Sequence, residues 1–382
     1  MIEKLHVTNF KCFREKDMDF NRLTILTGAN AAGKSSVIQA LLLLSHTSEF
    51  MVNRGEAWSE ESIDVNQVLG IQVGAPNALI CQNPTEDEAF DFVFDLRADG
   101  KQHIFQYAVD KTSPLDLKIK KGQPFPDTEI QYLNAERIGP RMVNQAGKKN
   151  GIALNGENAT YLMDIADKSR RGVAGALTDE ANPVQKFSFY VENWMSAILG
   201  DMQLNFHTDY NKAITELWIK NPLVDTGIVP TLTGFGISYV LPIVVAGLWA
   251  SSEPGSLLII ENPEAHLHPY SQSNMGKFLA LLAYCGVQVV VETHSEHVID
   301  GARIQRAKLH AADQMLVNFM RQSETDIEIL AIDVSPSGEL SMWRGDFSGR
   351  MAVLRSGNRR QGCPGCTALH AGRDPGSRWR RR

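Results

Sequence analysis

Features that define several other classes of protein are scarce in this 382-residue chain. Its five cysteines are scattered and odd in number, which disfavours a disulfide framework and favours a reducing compartment. The longest apolar run, about residues 239–250, is too short to cross a bilayer and contains Pro242. Met1 is followed at once by polar, strand-like sequence, so we expect no secretory signal. The expectation is a cytoplasmic protein that does not bind membranes.

Basic residues are too few in most of the chain for a general nucleic-acid surface. The net charge is −6, and residues 344–382 hold ten Arg, no Lys and two Asp, so the remainder is more acidic than this total indicates. We expect the Arg- and Gly-rich stretch 344–382 to be disordered, because it has few apolar residues. Two origins of this stretch remain open: an altered reading frame and a divergent natural end. If it is native, it could bind phosphate backbones.

The chain does contain the composition of a globular protein, with 43% hydrophobic and 21% charged residues. Continuous apolar runs at 257–260 and 287–292 predict strands of a parallel sheet that is covered on both faces. Strict alternation at 90–96, followed by the turn residues Asp99-Gly100, predicts a hairpin in an antiparallel sheet with one wet face. Because strands alternate with helical segments, we expect an α/β core.

Other elements follow from the same kind of pattern. We expect strands at 2–10, at 23–27 and near 202–219, buried helix at 34–45, helical sequence from 158 to 200, loop at 130–155, and a two-glycine loop followed by an apolar helix within 231–250.

A glycine-rich loop joins the strand at 23–27 to the helix at 34–45. Its residues, Gly28-Ala-Asn-Ala-Ala-Gly-Lys-Ser35, match the phosphate-binding pattern G-x-x-x-x-G-K-[ST]. The two glycines allow backbone N–H groups to converge on phosphate oxygens, and the helix N-terminus adds partial positive charge. The alternative, an ordinary glycine-rich turn, does not explain the full motif in this context.

Individual side chains of this loop have separate expected roles. Lys34 is expected to reach the β- and γ-phosphates, and the Ser35 hydroxyl to bind Mg²⁺. Gly28, Asn30 and Gly33 are candidate nucleotide contacts. Ser36 is a candidate too, with a structural role as the alternative.

Two predicted strands end in groups suited to nucleotide chemistry. The run at 257–260 ends at Glu261, a carboxylate that can bind Mg²⁺ directly or through water, and Glu264 is the next acid. The other run ends in Glu292-Thr-His-Ser295, and a histidine such as His294 at a strand tip can contact a γ-phosphate. Taken alone, a solvated turn explains the first ending, and a histidine satisfied by backbone explains the second.

Together these segments resemble the heads of ABC-type ATPases, and more narrowly the bacterial AAA-family ATPases related to SMC-like proteins and to the overcoming-lysogenisation-defect (OLD) family. The resemblance covers about residues 1–343. It is carried by Ile2-Glu-Lys-Leu, Asn9-Phe-Lys-Cys-Phe13, Gly28–Ser36, Tyr132-Leu-Asn-Ala-Glu-Arg-Ile-Gly-Pro-Arg141, Gly234-Phe-Gly-Ile-Ser238, Glu261-Asn-Pro-Glu-Ala-His-Leu-His-Pro269 and Glu292-Thr-His-Ser295.

The resemblance implies an ABC-type P-loop ATPase head with a mixed sheet core, an antiparallel β subdomain and a helical subdomain. Its implied parts are a P-loop lobe at about 1–135, a helical and signature lobe at about 136–250, and a Walker B and switch-histidine lobe at about 251–343. ATP and Mg²⁺ are the implied cofactors. The implied assembly is a homodimer, or a higher oligomer, that closes around ATP.

In such heads a signature loop of one subunit meets the ATP of the other. Gly234, Gly236 and Ser238 lie where this loop belongs, although a glycine turn before a core helix would also explain them. The resemblance gives His294 the role of sensing the γ-phosphate, and it gives Glu261 and Ser35 that of holding Mg²⁺.

One position departs from the family pattern. ABC heads usually place Asp and then Glu at the end of the second motif, whereas this chain has Glu261-Asn262, and Asn262 cannot accept a proton. Glu264, or with less support Glu292, would then position the attacking water. If neither does, hydrolysis is very slow and the protein is a nucleotide-gated scaffold.

The resemblance leaves several partners open. We expect the chain to contain no nuclease of its own. We expect it to act with a separate effector protein, for which a nuclease in antiphage defence is the leading example. An SMC-like DNA-repair clamp is the alternative, so a nucleic-acid partner remains open. Arg137 and Arg141 are predicted either to contact phosphate or a partner subunit, or to anchor their loop.

Overall fold

The computed structural model describes most of the chain. The described residues are 1–54, 61–68, 73–81, 91–109, 116–125, 128–147, 151–178, 185–220, 222, 226–324 and 326–341. The predictions for Phe90 and for 344–382 lie outside these ranges. Within them, no helix combines the length and the apolar character needed to cross a bilayer.

The described residues form fifteen strands and seven α-helices. The strands are β1 Ile2–Phe10, β2 Phe13–Asp19, β3 Leu23–Gly28, β4 Glu61–Asp64, β5 Asp91–Ala98, β6 Lys101–Val109, β7 Asp116–Gly122, β8 Ile130–Leu133, β9 Val143–Gln145, β10 Gln203–Asp209, β11 Ile214–Lys220, β12 Leu257–Glu261, β13 Gln288–Glu292, β14 Met315–Gln322 and β15 Ile327–Asp333. The helices are α1 Lys34–Arg54, α2 Val65–Val68, α3 Ala159–Ser169, α4 Phe187–Leu199, α5 Phe235–Ser251, α6 Pro269–Tyr284 and α7 Glu296–Lys308.

The central sheet has the order β15-β14-β3-β13-β12-β8 and is parallel except for the antiparallel edge strand β15. Its inner strands β12 and β13 are apolar throughout because both faces of the sheet are covered. The carboxyl ends of β3, β12 and β13 therefore meet at one edge. Ligands bind at this edge in open α/β sheets.

A second sheet is antiparallel, with the order β2-β1-β5-β6-β7-β4. One face is apolar, and there the Phe92 ring stacks on Tyr107 with a centroid distance of 4.9 Å. Asp99 and Gly100 have φ values of 50° and 72°, as a two-residue hairpin turn requires. The predicted hairpin and its one-sided burial are confirmed.

The elements pack into two hydrophobic cores on opposite faces of the central sheet. Helix α1 and the antiparallel sheet share one core with alternate residues of the central strands, such as Ile259 and Val290. Helices α3 to α7 share the other core with the intervening residues, such as Ile260 and Val291. A three-stranded sheet, β10-β11-β9, completes the helical side.

Several boundaries differ from those expected. Helix α1 continues past residue 45 to Arg54, because polar residues of its last turns are buried: Thr47 accepts a hydrogen bond from Tyr107 Oη at 3.0 Å, and Ser48 bonds to the backbone of Phe125. The expected loop at 130–155 contains β8 and β9. Strand β8 is only four residues long, and its pairing with β12 decides its conformation.

The helix expected within 231–250 also begins earlier than its glycines indicate. Helix α5 starts at Phe235, so Gly236 lies inside its first turn and only Gly234 precedes it. The helical pattern at 158–200 is divided into α3 and α4. The central sheet combines strands from the first and the last of the three predicted lobes. The division of the chain into these lobes remains a prediction.

Candidate nucleotide-binding site

The glycine loop lies at the carboxyl edge of the central sheet, between β3 and α1. Gly28 has a φ of 129°, and a Cβ at this position would lie 1.9 Å from the carbonyl oxygen of Met320. Gly33 has a φ of 92°, and a Cβ there would lie 2.7 Å from Phe13 Cζ. Backbone conformation and space thus both require glycine at these two positions. The loop follows the close backbone path that a phosphate cradle needs.

Lys34 occupies the mouth of this loop. Its Nζ donates hydrogen bonds to the carbonyl oxygens of Ala29 at 2.7 Å and Gly28 at 3.2 Å. Glu292 Oε1 lies 4.0 Å from the same nitrogen. Burial lowers the pKa of Lys34, and the negative charge of Glu292 opposes this shift. The cation is thus buried within the loop, where phosphate oxygens would replace its carbonyl partners.

Ser35 and Glu292 are in direct contact. Ser35 Oγ donates a hydrogen bond of 3.1 Å to Glu292 Oε2. Burial, together with the nearby charge of Glu261, raises the pKa of Glu292 to about 7, against the opposing effects of Lys34 and Ser35. The carboxylate is 7% exposed, whereas Ser35 is open to solvent. The hydroxyl and carboxyl oxygens therefore meet beside the phosphate loop.

Glu261 ends β12, but its side chain has a different partner. Its Oε1 accepts a hydrogen bond of 2.7 Å from Tyr132 Oη on β8. The buried guanidinium of Arg137 donates to the main-chain oxygens of Glu261 and of Asn262, the latter at 3.1 Å. Burial lowers the pKa of Arg137 to about 10. Of the two roles considered for Arg137, this structure supports the anchor, while Arg141 is exposed.

Glu264 connects the segment after β12 to the segment after β13. Its Oε2 accepts a hydrogen bond of 2.7 Å from Thr293 Oγ1, and its Oε1 accepts one of 2.8 Å from the backbone N–H of His294. Burial lowers the pKa of His294, with a further decrease from the charge of Lys34. Glu264 thus fixes the segment that carries His294.

An open cavity of about 750 Å³ lies in front of the loop. Of the residues predicted from the sequence, it is lined by Asn30, Gly33, Lys34, Ser35, Ser36, Glu292 and His294. Gly28 lies behind it and contributes the carbonyl that Lys34 bonds. Glu261 and Glu264 are not among the lining residues of the described chain. Of the three predicted glutamates, Glu292 is the one that lines the cavity.

Other lining residues were not predicted as site residues. They are Lys11, Cys12 and Arg14 around the β1–β2 turn, residues 77, 78, 80 and 81, and residues 322–324, 326 and 327 of the β14–β15 turn. The segment Asn9-Phe-Lys-Cys-Phe13 carried part of the family resemblance, and this was the available signal. Nothing in the local sequence of the β14–β15 turn indicates that it faces the cavity.

The predicted signature residues lie elsewhere in the same chain. Gly234 is the N-cap of α5, and Gly236 and Ser238 follow in its first turn. Within the described ranges none of the three lines the cavity. The Phe235 ring between them is 52% exposed and stacks on His266 at 5.2 Å. One chain therefore does not bring these residues to Lys34.

The donor set fits a magnesium–nucleotide complex. Phosphate fits the glycine cradle, which a Cβ would fill, and the ammonium of Lys34. Mg²⁺ favours oxygen ligands and often takes only one or two protein carboxylates, with phosphate and water completing its shell. Among the described residues, no group of three His, Cys, Asp or Glu side chains is placed to bind a metal.

Comparisons with known proteins agree with this geometry. A family profile described as "AAA ATPase domain" matches residues 1–138 and 154–299. The chain is 21% identical over 363 residues to an OLD nuclease of Thermus scotoductus, across 85% of this chain and 65% of that protein. It is 19% identical over 218 residues to the DNA replication and repair protein RecF of Limosilactobacillus reuteri, across 54% and 58%. The chain thus spans less than two thirds of the length of these relatives.

Two solved structures share the fold. One is an SMC head bound to the C-winged helix domain of ScpA, with a TM-score of 0.52 and 12% identity over 87% of this chain and 97% of that one. The other is an SMC head domain with an extended coiled coil, bound to the C-terminal domain of ScpA derived from Pyrococcus furiosus, with a TM-score of 0.54 and 11% identity over 87% and 96%. The predicted ABC-type head fold is confirmed.

Proposed function

The chain belongs to the AAA ATPase domain family, and we propose that it is an ATPase head that binds ATP with Mg²⁺, hydrolyses it and dimerises around it. The observation that supports this best is the meeting of Lys34, Ser35 and Glu292 at the mouth of the glycine loop. A cation, a hydroxyl and a carboxylate meet there beside the glycine loop, and this combination suits phosphoryl transfer from a magnesium–nucleotide.

Each group of the site has a proposed task. Bound Mg–ATP supplies the reactive γ-phosphate and neutralises its developing charge. The backbone of Gly28–Ser35 would hold the phosphates, and Lys34 would exchange its bonds to loop carbonyls for bonds to β- and γ-oxygens. Ser35 and one carboxylate of this sheet edge would hold Mg²⁺. His294, exposed at the cavity wall, would contact the γ-phosphate.

Glu264 remains our candidate for positioning the attacking water. Its carboxylate accepts bonds from Thr293 and from the N–H of His294. A carboxylate has about four acceptor positions, so two bonds orient it without filling it. Both bonds are made within the chain, and Glu264 is not among the residues that line the cavity in the described ranges. We therefore propose hydrolysis that is slow.

The geometry at Asn262 favours a second candidate, a nucleotide-gated scaffold with negligible hydrolysis. Asn262 follows β12 with a φ of 45°, and its N–H donates to the Glu292 carbonyl at 2.8 Å. Its Oδ1 is buried without a partner among the described residues, yet an amide oxygen takes no proton at neutral pH. Loss of a general base typically costs about 10²–10⁴-fold in rate.

The position of the signature residues supports the proposed dimerisation. The start of α5 presents free backbone N–H groups, as every helix N-terminus does, and such groups bind anions. These residues do not line the cavity of their own chain in the described ranges, so for this role a second copy would have to bring them to the γ-phosphate. The exposed ring of Phe235 lies on the same surface.

We propose that closure of this dimer controls a separate effector. The similarity to an OLD nuclease of Thermus scotoductus suggests a nuclease as the class of effector, and antiphage defence is the biological setting we propose. Copurification of a nuclease with the protein, and altered phage sensitivity on deletion, would support this part. Finding neither would count against it and leave the ATPase proposal intact.

An SMC-like DNA-repair clamp is the alternative biological role, and the RecF relative gives it specific support. The two roles differ in their dependence on salt. A clamp would bind DNA only with ATP, and its affinity would fall steeply as salt rises. An ATPase that controls a protein effector needs neither property.

ATP turnover by the purified chain with Mg²⁺ tests the biochemical proposal. Lys34→Ala and Glu264→Gln are compared with Lys212→Ala, an exposed lysine on the β10–β11 turn, while light scattering reports mass. Turnover lost in both site variants, with an ATP-dependent dimer, supports the ATPase. Tight binding and dimerisation without turnover favour the scaffold. A wild-type protein that neither binds ATP nor dimerises with it contradicts both.

A further inference from the structure

The central sheet places two glutamates side by side at its ligand-binding edge. Glu261 and Glu292 are register partners at the ends of the parallel strands β12 and β13. Strand β13 also pairs with β3, where Glu292 is level with Leu26, two residues before Gly28. Of the two carboxylates, that of Glu292 is therefore on the strand next to the phosphate loop, and that of Glu261 is one strand further away.

The two side chains bond in opposite directions. Glu292 bonds Ser35 at 3.1 Å, lies 4.0 Å from Lys34 Nζ, and lines the cavity. Glu261 bonds Tyr132 at 2.7 Å, and Tyr132 is on β8, the strand on the far side of β12. Only one of the two carboxylates is thus in contact with the hydroxyl that phosphate-binding loops supply to Mg²⁺.

From this division we propose that Glu292, and not Glu261, is the carboxylate that binds Mg²⁺ together with Ser35. The inference rests on the proposed function, since it assigns a ligand within the same site. Tyr132 and Glu261 then form an outer pair that fixes the end of β12. Metal sites depend on such hydrogen-bonded outer partners, which orient the groups that touch the ion.

The negative charge of Glu292 should have opposite effects on nucleotide affinity with and without Mg²⁺. Near Lys34 and the phosphate loop, an ionised Glu292 repels the phosphates of a metal-free nucleotide. A bound Mg²⁺ would supply positive charge beside the phosphates, so the same carboxylate would then favour binding of the metal–nucleotide complex. Glu292 therefore couples nucleotide affinity to the divalent cation. Glu261, bonded away toward β8, should contribute far less to this coupling.

Calorimetric titration of ATP into the full chain, once in EDTA and once in excess Mg²⁺, measures this coupling directly. For Glu292→Gln we expect tighter binding than wild type in EDTA, weaker binding in Mg²⁺, and a fall of at least about tenfold in the ratio of the two affinities. Glu261→Gln is the matched control, because glutamine keeps an oxygen that can accept from Tyr132. Its ratio should stay within about threefold of wild type.

A second measurement does not depend on ATP affinity. Mn²⁺ in place of Mg²⁺, followed by electron paramagnetic resonance of the ADP complex, should show weaker metal retention in Glu292→Gln but not in Glu261→Gln. Ser35→Ala combined with Glu292→Gln should be strongly non-additive, whereas Ser35→Ala with Glu261→Gln should be additive. Glu292→Asp, which keeps the charge, should retain part of the coupling.

Several outcomes would overturn the assignment. They are a larger loss of coupling in Glu261→Gln, equal losses in both variants, or an unchanged ratio in a folded Glu292→Gln protein. Wild-type protein that binds no ATP under either condition would instead refute the proposed function, and the assignment with it. Tight wild-type binding with an unchanged Glu292→Gln ratio refutes the assignment alone.

Discussion

Ser35 Oγ and Glu292 Oε2 are joined by a hydrogen bond of 3.1 Å, although 257 positions separate the two residues in the sequence. The bond links the start of α1 to the end of β13, and both lie at the same edge of the central sheet. Lys34 is on the same wall of the cavity, 4.0 Å from the same carboxylate. The candidate site is therefore held in place by the parallel pairing of β3 with β13.

Gly33→Ala should impair both stability and nucleotide binding. The residue has a φ of 92°, and a Cβ would lie 2.7 Å from Phe13 Cζ and 2.8 Å from Cys12 Sγ. Left-handed backbone strain and overpacking together should cost about 2–4 kcal/mol of unfolding free energy. Urea unfolding measures the first effect and ATP titration the second.

The matched control for this change is Gly172→Ala, since a Cβ at Gly172 meets nothing within 4 Å and the φ there is not positive. It should leave both quantities unchanged. If Gly33→Ala unfolds at the wild-type urea concentration and binds ATP normally, the loop does not have the strained path described above.

Gly234→Glu should abolish ATP-dependent dimerisation while leaving the monomer intact. A Cβ at Gly234 meets nothing within 4 Å, and a negative charge at the start of α5 favours the helix, so the monomer should unfold as wild type does. In a dimer closed around ATP, the new carboxylate would face the γ-phosphate. Repulsion there should reduce the dimer population by more than about 100-fold.

Light scattering with ATP and Mg²⁺ measures this population, and Gly172→Glu is its control. ATP affinity of the monomer should not change, because residues 234–238 do not line its cavity. A Gly234→Glu protein that still dimerises with ATP would remove the start of α5 from the dimer contact.

The stability of the ligand-free protein should fall as pH rises from about 4.5 to about 7. The pKa of Glu292 is about 7 in the folded chain and has an ordinary value of 4.5 when unfolded. Between these values the folded state binds more protons than the unfolded state, so raising the pH favours unfolding. Urea unfolding in EDTA, at several pH values, measures the slope.

Glu292→Gln should lose this contribution, and Glu15→Gln, at an exposed position on β2, should retain it. Nucleotide binding with Mg²⁺ should show the opposite trend, because a metal ligand must be ionised. Identical pH slopes for wild type and Glu292→Gln would contradict the burial of this carboxyl.

The sequence predicted those parts of the site that depend on local pattern. The loop Gly28–Ser35 carries its function in its spacing, and the strand endings at Glu261 and Glu292 follow from continuous apolar runs. That β12 and β13 belong to a parallel sheet also follows, because strands of that composition must be covered on both faces. These features require no knowledge of distant contacts.

The remaining features depend on pairing between strands that are far apart in the sequence. Strand β8 has four residues and is stabilised by β12, more than 120 residues later, so its own sequence reads as loop. The contact between Ser35 and Glu292 depends on β13, not β12, lying next to β3. The order of strands across a sheet is not written in any one strand. The sequence favours Glu261 as a ligand, and it gives no sign that Tyr132 donates a hydrogen bond to this carboxylate.

The most direct test of the account is calorimetric titration of Mg–ATP into the wild-type chain, Lys34→Ala and Lys212→Ala. Lys34 is buried in the phosphate loop and Lys212 is an exposed surface residue, so the two changes remove the same charge from different places. We expect one ATP per wild-type chain, a loss of about 10- to 100-fold in affinity for Lys34→Ala, and no loss for Lys212→Ala. Equal affinity of all three proteins would contradict it.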